Sequence, residues 1–318
     1  MKKKVIITRN ILPDGLSLLE SHGIAFDVNL SEKPLSYEEL MEKACNADAI
    51  ISMLSDNIDQ RFLESNPHLK VIANYAVGFN NIDLMTARAL NIRIGNTPDV
   101  LTEATAETAL GLMIAAGRNF KGANSAVNDG RWKNWGPKDH LGFALRGKTL
   151  GVIGLGRIGM RLAEMAASAF KMQIIYTANS TKENTFGAKI VSLDELLSQS
   201  DYISIHAPLN ASTKHLIGKD QFQKMRPHSV LVNTARGEII DQDALIWALK
   251  EKLIFAAGLD VTEPEPLPLS SELLKLENVF ILPHIGSATF EARREMSILC
   301  AKNIIAGLNG ENLISEVK

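Results

Sequence analysis

The sequence predicts an α/β protein of two doubly wound parallel-sheet domains. The chain has 318 residues, about two domains at roughly 150 residues each. Short apolar, β-branched runs recur along it, as buried parallel strands require, and amphipathic helical patterns lie between them. Strands alternating with helices specify the α/β class.

Taken in order, the strand candidates are Val5 to Thr8, Ala49 to Met53, Val71 to Ala73, Leu150 to Ile153, Gln173 to Tyr176, Tyr202 to Ile205, Val230 to Val232 and Phe280 to Leu282, with another ending at Asp260. After the fourth, Ile158, Leu162, Met165 and Ala169 are spaced to line one face of a helix. The strand-helix series falls in two halves, before about Pro98 and after Lys148, separated by an Ala-rich helical stretch, Val100 to Arg118, and a polar segment, Asp129 to Gly147. A final helix, Phe290 to Leu308, has no strand after it, and element counting sends it back to support the first domain.

Composition narrows the function classes. Lys and Arg number 34 against 36 Asp and Glu, a net charge of -2 that gives no field to attract nucleic acid or an anionic membrane. Cys45 and Cys300 lack metal-ligand spacing and cannot build a disulfide framework, so both are expected to be buried free thiols, and no metal site is expected. The apolar stretch Ala109 to Gly117 is under half of the roughly 20 residues that span a membrane. Polar residues from Thr8 onward cut the N-terminal run short of a signal-peptide core. The expectation is a cytoplasmic protein whose partners are small molecules or protein.

The chemistry starts at GLGRIG, Gly154 to Gly159, between a strand and an amphipathic helix. In that setting Gly154 allows the tight turn, Gly156 lets the backbone approach a pyrophosphate, and Gly159 lets helix pack on strand, with the helix dipole facing the anion. At the end of the next strand, where NAD-binding versions carry an acid, the chain reads Tyr176, Thr177, Ala178, Asn179, Ser180, Thr181, Lys182. With no carboxylate to repel a 2′-phosphate, and with polar groups and Lys182 to accept one, NADPH is expected to be preferred over NADH.

Hydride transfer to a carbonyl needs a proton donor, a cation that polarises the carbonyl, and a group that tunes the donor. Arg236 follows the Val230 strand, where α/β sheets bind ligands; Glu263 and Glu265 both lie in the Pro-rich run after Asp260; and His284 follows the Phe280 strand. His206 also ends a strand, while His22, His68, His140, His215 and His228 are read as surface or satisfied side chains. A carboxylate beside His284 would favour its imidazolium and suit it to give a proton. In the first half, Asn74 to Asn80 forms a strand-to-helix turn whose amides suit an anion, so Val77 and Gly78 are assigned to a substrate carboxylate.

With these residues in place, the chain resembles the D-isomer-specific 2-hydroxyacid dehydrogenase family, most closely its glyoxylate/hydroxypyruvate reductases. The likeness rests on VGFNNID (Val77 to Asp83), TPDVLTEATAE (Thr97 to Glu107), GLGRIG, NTARGEIID (Asn233 to Asp241), AAGLDVTEPEPLP (Ala256 to Pro268) and LPHIGSAT (Leu282 to Thr289). It implies a Rossmann cofactor domain, residues 98–286, inserted in a flavodoxin-like substrate domain formed by residues 1–97 and 287–318. It further implies Arg236 as carboxylate and carbonyl ligand, His284 as proton donor, and Glu265 rather than Glu263 as its partner, because the family's acid directly precedes Pro-Leu-Pro. Thr102, Arg157, Ile158, Pro208, Thr234, Asp260 and Gly286 join Gly154, Gly156, Gly159, Ala178, Asn179 and Ser180 against the cofactor.

The long helical stretch is implied to build a homodimer, with Trp132 and Trp135 after it and Trp135 reaching the neighbour's site. Asn179 stands where similar NADP-preferring enzymes commonly carry arginine. The activity implied is NAD(P)H-dependent reduction of small 2-oxoacids such as glyoxylate and hydroxypyruvate. Glu265 argues against formate dehydrogenase, which pairs the histidine with glutamine. The alternatives are another D-2-hydroxyacid dehydrogenase, such as a short phosphoglycerate dehydrogenase, and a non-catalytic nucleotide-sensing module. Leu54, Phe79 and Trp135 are expected to shape the pocket.

Overall fold

The computed structural model describes residues 3–178, 180 and 187–317. They form two compact units, Met1–Leu101 with Ala288–Lys318, and Thr102–Ser287.

The first unit runs β1 (Lys4–Ile7), α1 (Pro13–Ser21), β2 (Ala25–Val28), α2 (Tyr37–Ala44), β3 (Ala49–Ser52), α3 (Gln60–Ser65), β4 (Val71–Asn74), α4 (Leu84–Ala89) and β5 (Arg93–Gly95). Its sheet is parallel throughout, in the order β2-β1-β3-β4-β5. That is the flavodoxin-like order. Helix starts are written locally: Ser36 caps α2 in a reciprocal capping box with Glu39, and the Asp59 and Asp83 side chains cap α3 and α4.

The second unit runs α5 (Thr102–Gly117), α6 (Phe120–Asn128), β6 (Thr149–Ile153), α7 (Arg157–Phe170), β7 (Gln173–Thr177), β8 (Lys189–Ile190), α8 (Leu193–Gln199), β9 (Tyr202–Ile205), α9 (Lys219–Lys224), β10 (Val230–Asn233), α10 (Gln242–Lys250), β11 (Ala256–Leu259) and β12 (Val279–Ile281). The sheet order is β12-β11-β10-β9-β6-β7-β8, parallel throughout. Reading from β8, this is the Rossmann order with one strand added at the far edge. Both faces of the sheet are covered: Val230 and Val232 pack with Leu112, Leu162 and Leu150, while Leu231 between them packs with Phe222, Leu245 and Leu196. Such strands read as unbroken apolar runs because neither side meets water.

The last helix, α11 (Phe290–Asn309), belongs to the first unit. Ser297 Oγ accepts the Gly15 N–H at 3.2 Å, Tyr75 OH donates to the Arg293 carbonyl at 2.6 Å, and Lys3 Nζ donates to the Leu308 carbonyl at 2.7 Å.

Three details differ from the sequence expectation. Strands β2, β5 and β8 were not marked by an apolar run; β2 and β8 are half-exposed or exposed, and the three-residue β5 is too short to show one. The buried face of α7 is Gly159, Leu162, Ala163 and Ala166, with Ala169 exposed, because small residues let this helix approach the sheet. Cys300 is buried, but Cys45 is exposed, since it caps α2 beyond the last covered turn.

Candidate active site

The turn after β6 shows why its glycines are needed. Gly154 has φ 93°, and a Cβ there would stand 2.6 Å from the Ala207 backbone nitrogen. A Cβ on Gly159 would stand 2.5 Å from the Gly154 carbonyl oxygen, so helix and turn touch backbone to backbone. Gly156 is different: nothing lies within 4 Å of its added Cβ. It is the N-cap of the 14-residue α7, and no side chain caps that helix. The open space lies at the positive end of a helix dipole, an arrangement suited to a phosphate.

Other residues assigned to the cofactor belong to this same unit. Thr102 opens α5 and is half-buried, Arg157 and Ile158 start α7, and Pro208 follows β9. Thr234, after β10, has a buried hydroxyl with no hydrogen-bond partner among the described residues, a group a ligand would satisfy. Asp260 follows β11, almost wholly buried, and accepts the Ile285 and Gly286 amides at 2.7 Å each. Burial lifts its carboxyl above the usual range, against the lowering effect of those amides. Ala178 is half-buried at the end of β7 and Ser180 exposed; Asn179, Thr181 and Lys182 lie outside the described residues.

The candidate reacting groups follow three different strands, β10, β11 and β12. His284 Nδ1 lies 2.5 Å from Glu265 Oε1. The histidine itself has φ 55° and its N–H donates to the Asp260 carbonyl at 2.9 Å, so the buried aspartate holds residues 284 to 286 on both sides. Arg236 is half-buried, and burial pushes its guanidinium down while Glu265 and Glu238 pull it up. Its turn is held by Asn233, whose Nδ2 donates to the Arg236 carbonyl at 2.7 Å and whose Oδ1 accepts the Ala235 N–H at 3.0 Å. An imidazole ring, a carboxylate against it and a cation within electrostatic range of that carboxylate form a constellation suited to carbonyl reduction.

The structure also separates the two glutamates. Glu263 Oε2 pairs with His215 Nε2 at 2.8 Å, away from His284. His228 pairs with Asp201 at 2.8 Å and His68 contacts the Ala44 carbonyl at 3.1 Å, as satisfied histidines do. His206 is half-buried beside Ser204 Oγ at 2.9 Å, and burial pushes it down to about 4. Among the described residues, no group of three or more His, Cys, Asp or Glu is placed to hold a metal ion.

In the first unit, the turn after β4 is held from its carbonyl side. Asn74 Nδ2 donates to the Gly78 carbonyl and Asn96 Nδ2 to the Val77 carbonyl, both at 2.8 Å. Asn81 Nδ2 donates to the Met53 carbonyl at 3.1 Å and the Asp56 carbonyl at 3.0 Å. Among the described residues the Val77 and Gly78 N–H groups have no acceptor, and such amides can bind an anion. Leu54 and Phe79 are 38% and 37% exposed. Sequence reasoning missed the holding roles of Asn74, Asn96 and Asn233, whose only signal was an amide side chain at a strand end.

Comparison with known proteins finds similar chains. Residues 110–286 match the model of the D-isomer specific 2-hydroxyacid dehydrogenase NAD binding domain. A glyoxylate reductase of Thermococcus litoralis is 44% identical, over 99% of this chain and 98% of its own. Among solved structures, the TT0316 protein of Thermus thermophilus superposes with a TM-score of 0.93 at 38% identity, over 99% of this chain and 100% of that one. The NADPH-dependent glyoxylate/hydroxypyruvate reductase of Sinorhizobium meliloti, solved with NADP and malonate, gives 0.88 at 30%, over 100% and 97%.

Proposed function

The chain belongs to the D-isomer specific 2-hydroxyacid dehydrogenase family, and from that premise we propose that it reduces small 2-oxoacids, glyoxylate and hydroxypyruvate, to 2-hydroxyacids. It is an oxidoreductase with a nicotinamide-dinucleotide domain. The observation that carries the reading of its machinery is the His284 to Glu265 contact. The bound dinucleotide supplies the hydride. Gly154, Gly156 and Gly159 accommodate its pyrophosphate at the α7 N-terminus, with Thr102, Arg157, Ile158, Pro208, Thr234, Asp260 and Gly286 around the rest.

His284 gives a proton to the developing alkoxide oxygen, and Glu265 at Nδ1 orients the ring. Arg236 polarises the carbonyl and binds the adjacent carboxylate with its planar fork. The amides of Val77 and Gly78, without an acceptor among the described residues, are assigned to the substrate carboxylate.

NADPH is the proposed reductant. Thr177 at the end of β7 and Ala178 and Ser180 after it carry no acid to repel a 2′-phosphate. A homodimer is proposed from the family resemblance and from exposed apolar side chains along one stretch of the second unit, with Trp132 61% and Trp135 81% exposed. No helix among the described residues is long and apolar enough to cross a membrane.

The test is loss of reduced-nicotinamide absorbance, with NADPH and NADH separately, against glyoxylate, hydroxypyruvate, pyruvate and 3-phosphohydroxypyruvate. Turnover of the first two with NADPH supports both readings. Turnover of only the phosphorylated acid points to a phosphoglycerate dehydrogenase. Equal kcat/KM with both cofactors removes the NADPH preference, and a monomeric mass in solution removes the dimer.

A further inference from the structure

We propose that His215, through Glu263, is a positioning residue that ties the turn carrying Arg236 to the loop carrying Glu265. This rests on the reading of Arg236, Glu265 and His284 as the reacting groups.

His215 reaches both segments by different atoms. It has φ 50°, and its backbone N–H donates to the Glu238 carbonyl at 2.7 Å. Ile217 continues the pairing, donating to the Ile239 carbonyl at 3.1 Å and accepting from the Asp241 N–H at 3.0 Å. Residues 215 to 217 therefore run beside the segment that follows Arg236. From that position the ring turns to the other loop, with Nε2 2.8 Å from Glu263 Oε2.

The Glu263 loop has little slack. Its Thr262 Oγ1 donates to the Pro264 carbonyl at 2.8 Å, and the Glu263 N–H donates to Gln242 Oε1 at 3.3 Å. The Arg236 turn packs directly on it, since a Cβ on Gly237 would stand 2.0 Å from the Thr262 carbonyl oxygen. From Glu263 the chain runs Pro264, Glu265, Pro266, and each proline ring locks its own φ. A shift at Glu263 is therefore passed to Glu265, two residues on, and from there to His284.

The His215 and Glu263 side chains are 46% and 32% exposed. A side-chain contact so accessible to water contributes little to global stability. A small misplacement of a reacting group, by contrast, costs rate steeply. The device thus has its own signature, a fall in kcat with unchanged melting temperature and unchanged cofactor affinity.

The experiment uses the full-length enzyme with saturating reduced cofactor and glyoxylate. His215→Asn suits a positive φ and keeps the backbone bond to Glu238, but is too short to reach Glu263. Glu263→Ala removes the partner from the other side, and Glu263→Gln keeps an acceptor for Nε2. His215→Asn and Glu263→Ala are expected to lower kcat about tenfold each, with melting temperature and cofactor Kd unchanged. Glu263→Gln is expected to retain most of the activity, and the double variant to be no slower than either single one, as for two residues acting as one contact.

Wild-type kcat in the single variants overturns the proposal, as do losses that multiply in the double variant or that follow a falling melting temperature. His284→Ala, run alongside, keeps the two levels apart. If it turns over like the wild type, the reading of the reacting groups falls and this proposal with it. If it is inactive while His215→Asn is fully active, only the positioning role falls.

Discussion

Glu265 Oε1 stands 2.5 Å from His284 Nδ1 across a sequence separation of 19 residues. Nε2, the other ring nitrogen, has no hydrogen-bond partner among the described residues. The acid thus occupies one side of the imidazole and leaves the other to meet a reacting oxygen. Replacing His284 with Ala is expected to lower kcat/KM about 10²- to 10⁴-fold, the usual range for a lost proton donor. Cofactor titration by nicotinamide fluorescence should show an unchanged Kd; a variant as active as the wild type would remove His284 from the mechanism.

The first and second glycines of the turn after β6 are expected to fail in different ways. Gly154→Ala forces a side chain onto φ 93° and into the Ala207 backbone, so it should lower the melting temperature. Gly156→Ala adds a methyl to open space, so the fold should survive. That methyl lies where a pyrophosphate is proposed to approach, and cofactor affinity should weaken about tenfold or more, a loss of roughly 1.4 kcal/mol. Unchanged affinity in Gly156→Ala would place the cofactor elsewhere.

Asn233 is expected to act on Arg236 by way of the turn it holds. Its amide satisfies both the Arg236 carbonyl and the Ala235 N–H, and it is completely buried. Asn233→Ala strands those two backbone groups, at about 1–3 kcal/mol for a buried group left without a partner. Substrate KM should rise along with the loss of stability. A denaturant midpoint and KM both at wild-type values would show that the turn holds itself.

His206 makes stability depend on pH in a defined window. Burial pushes it from 6.5 down to about 4, so the unfolded chain takes up a proton before the folded one does. The stability it provides is complete above 6.5 and is lost progressively as pH falls toward 4, by at most about 3 kcal/mol. Urea unfolding at pH 7.5 and pH 5 should show a smaller drop for His206→Gln than for the wild type. Equal drops would assign the acid sensitivity to other groups.

Much of the fold was legible because central parallel strands are buried on both faces. Ala49–Ser52, Tyr202–Ile205 and residues 230–232 are unbroken apolar or small runs, and each is fully buried. Edge strands were not, because β8 at Lys189–Ile190 faces water and carries no such run. The glycine turn was legible from its spacing, since the positive φ at Gly154 and the contact of Gly159 with the Gly154 carbonyl are set within one turn of chain.

The sequence by itself determined the α/β class, the nucleotide turn, and the placing of Arg236, Glu265 and His284 after strands, because strand periods and turn sterics are local properties of the chain. Which acid meets which histidine was decided only by tertiary structure. Glu263 and Glu265 are two residues apart in the same Pro-rich loop, and their spacing alone cannot say which faces His284. The Arg236 turn packs on that loop at Thr262 and pairs with the 215–217 segment, and in this arrangement Glu263 meets His215 while Glu265 meets His284. Contacts between residues far apart in sequence depend on how the sheet orders its strands, and no local pattern encodes that order.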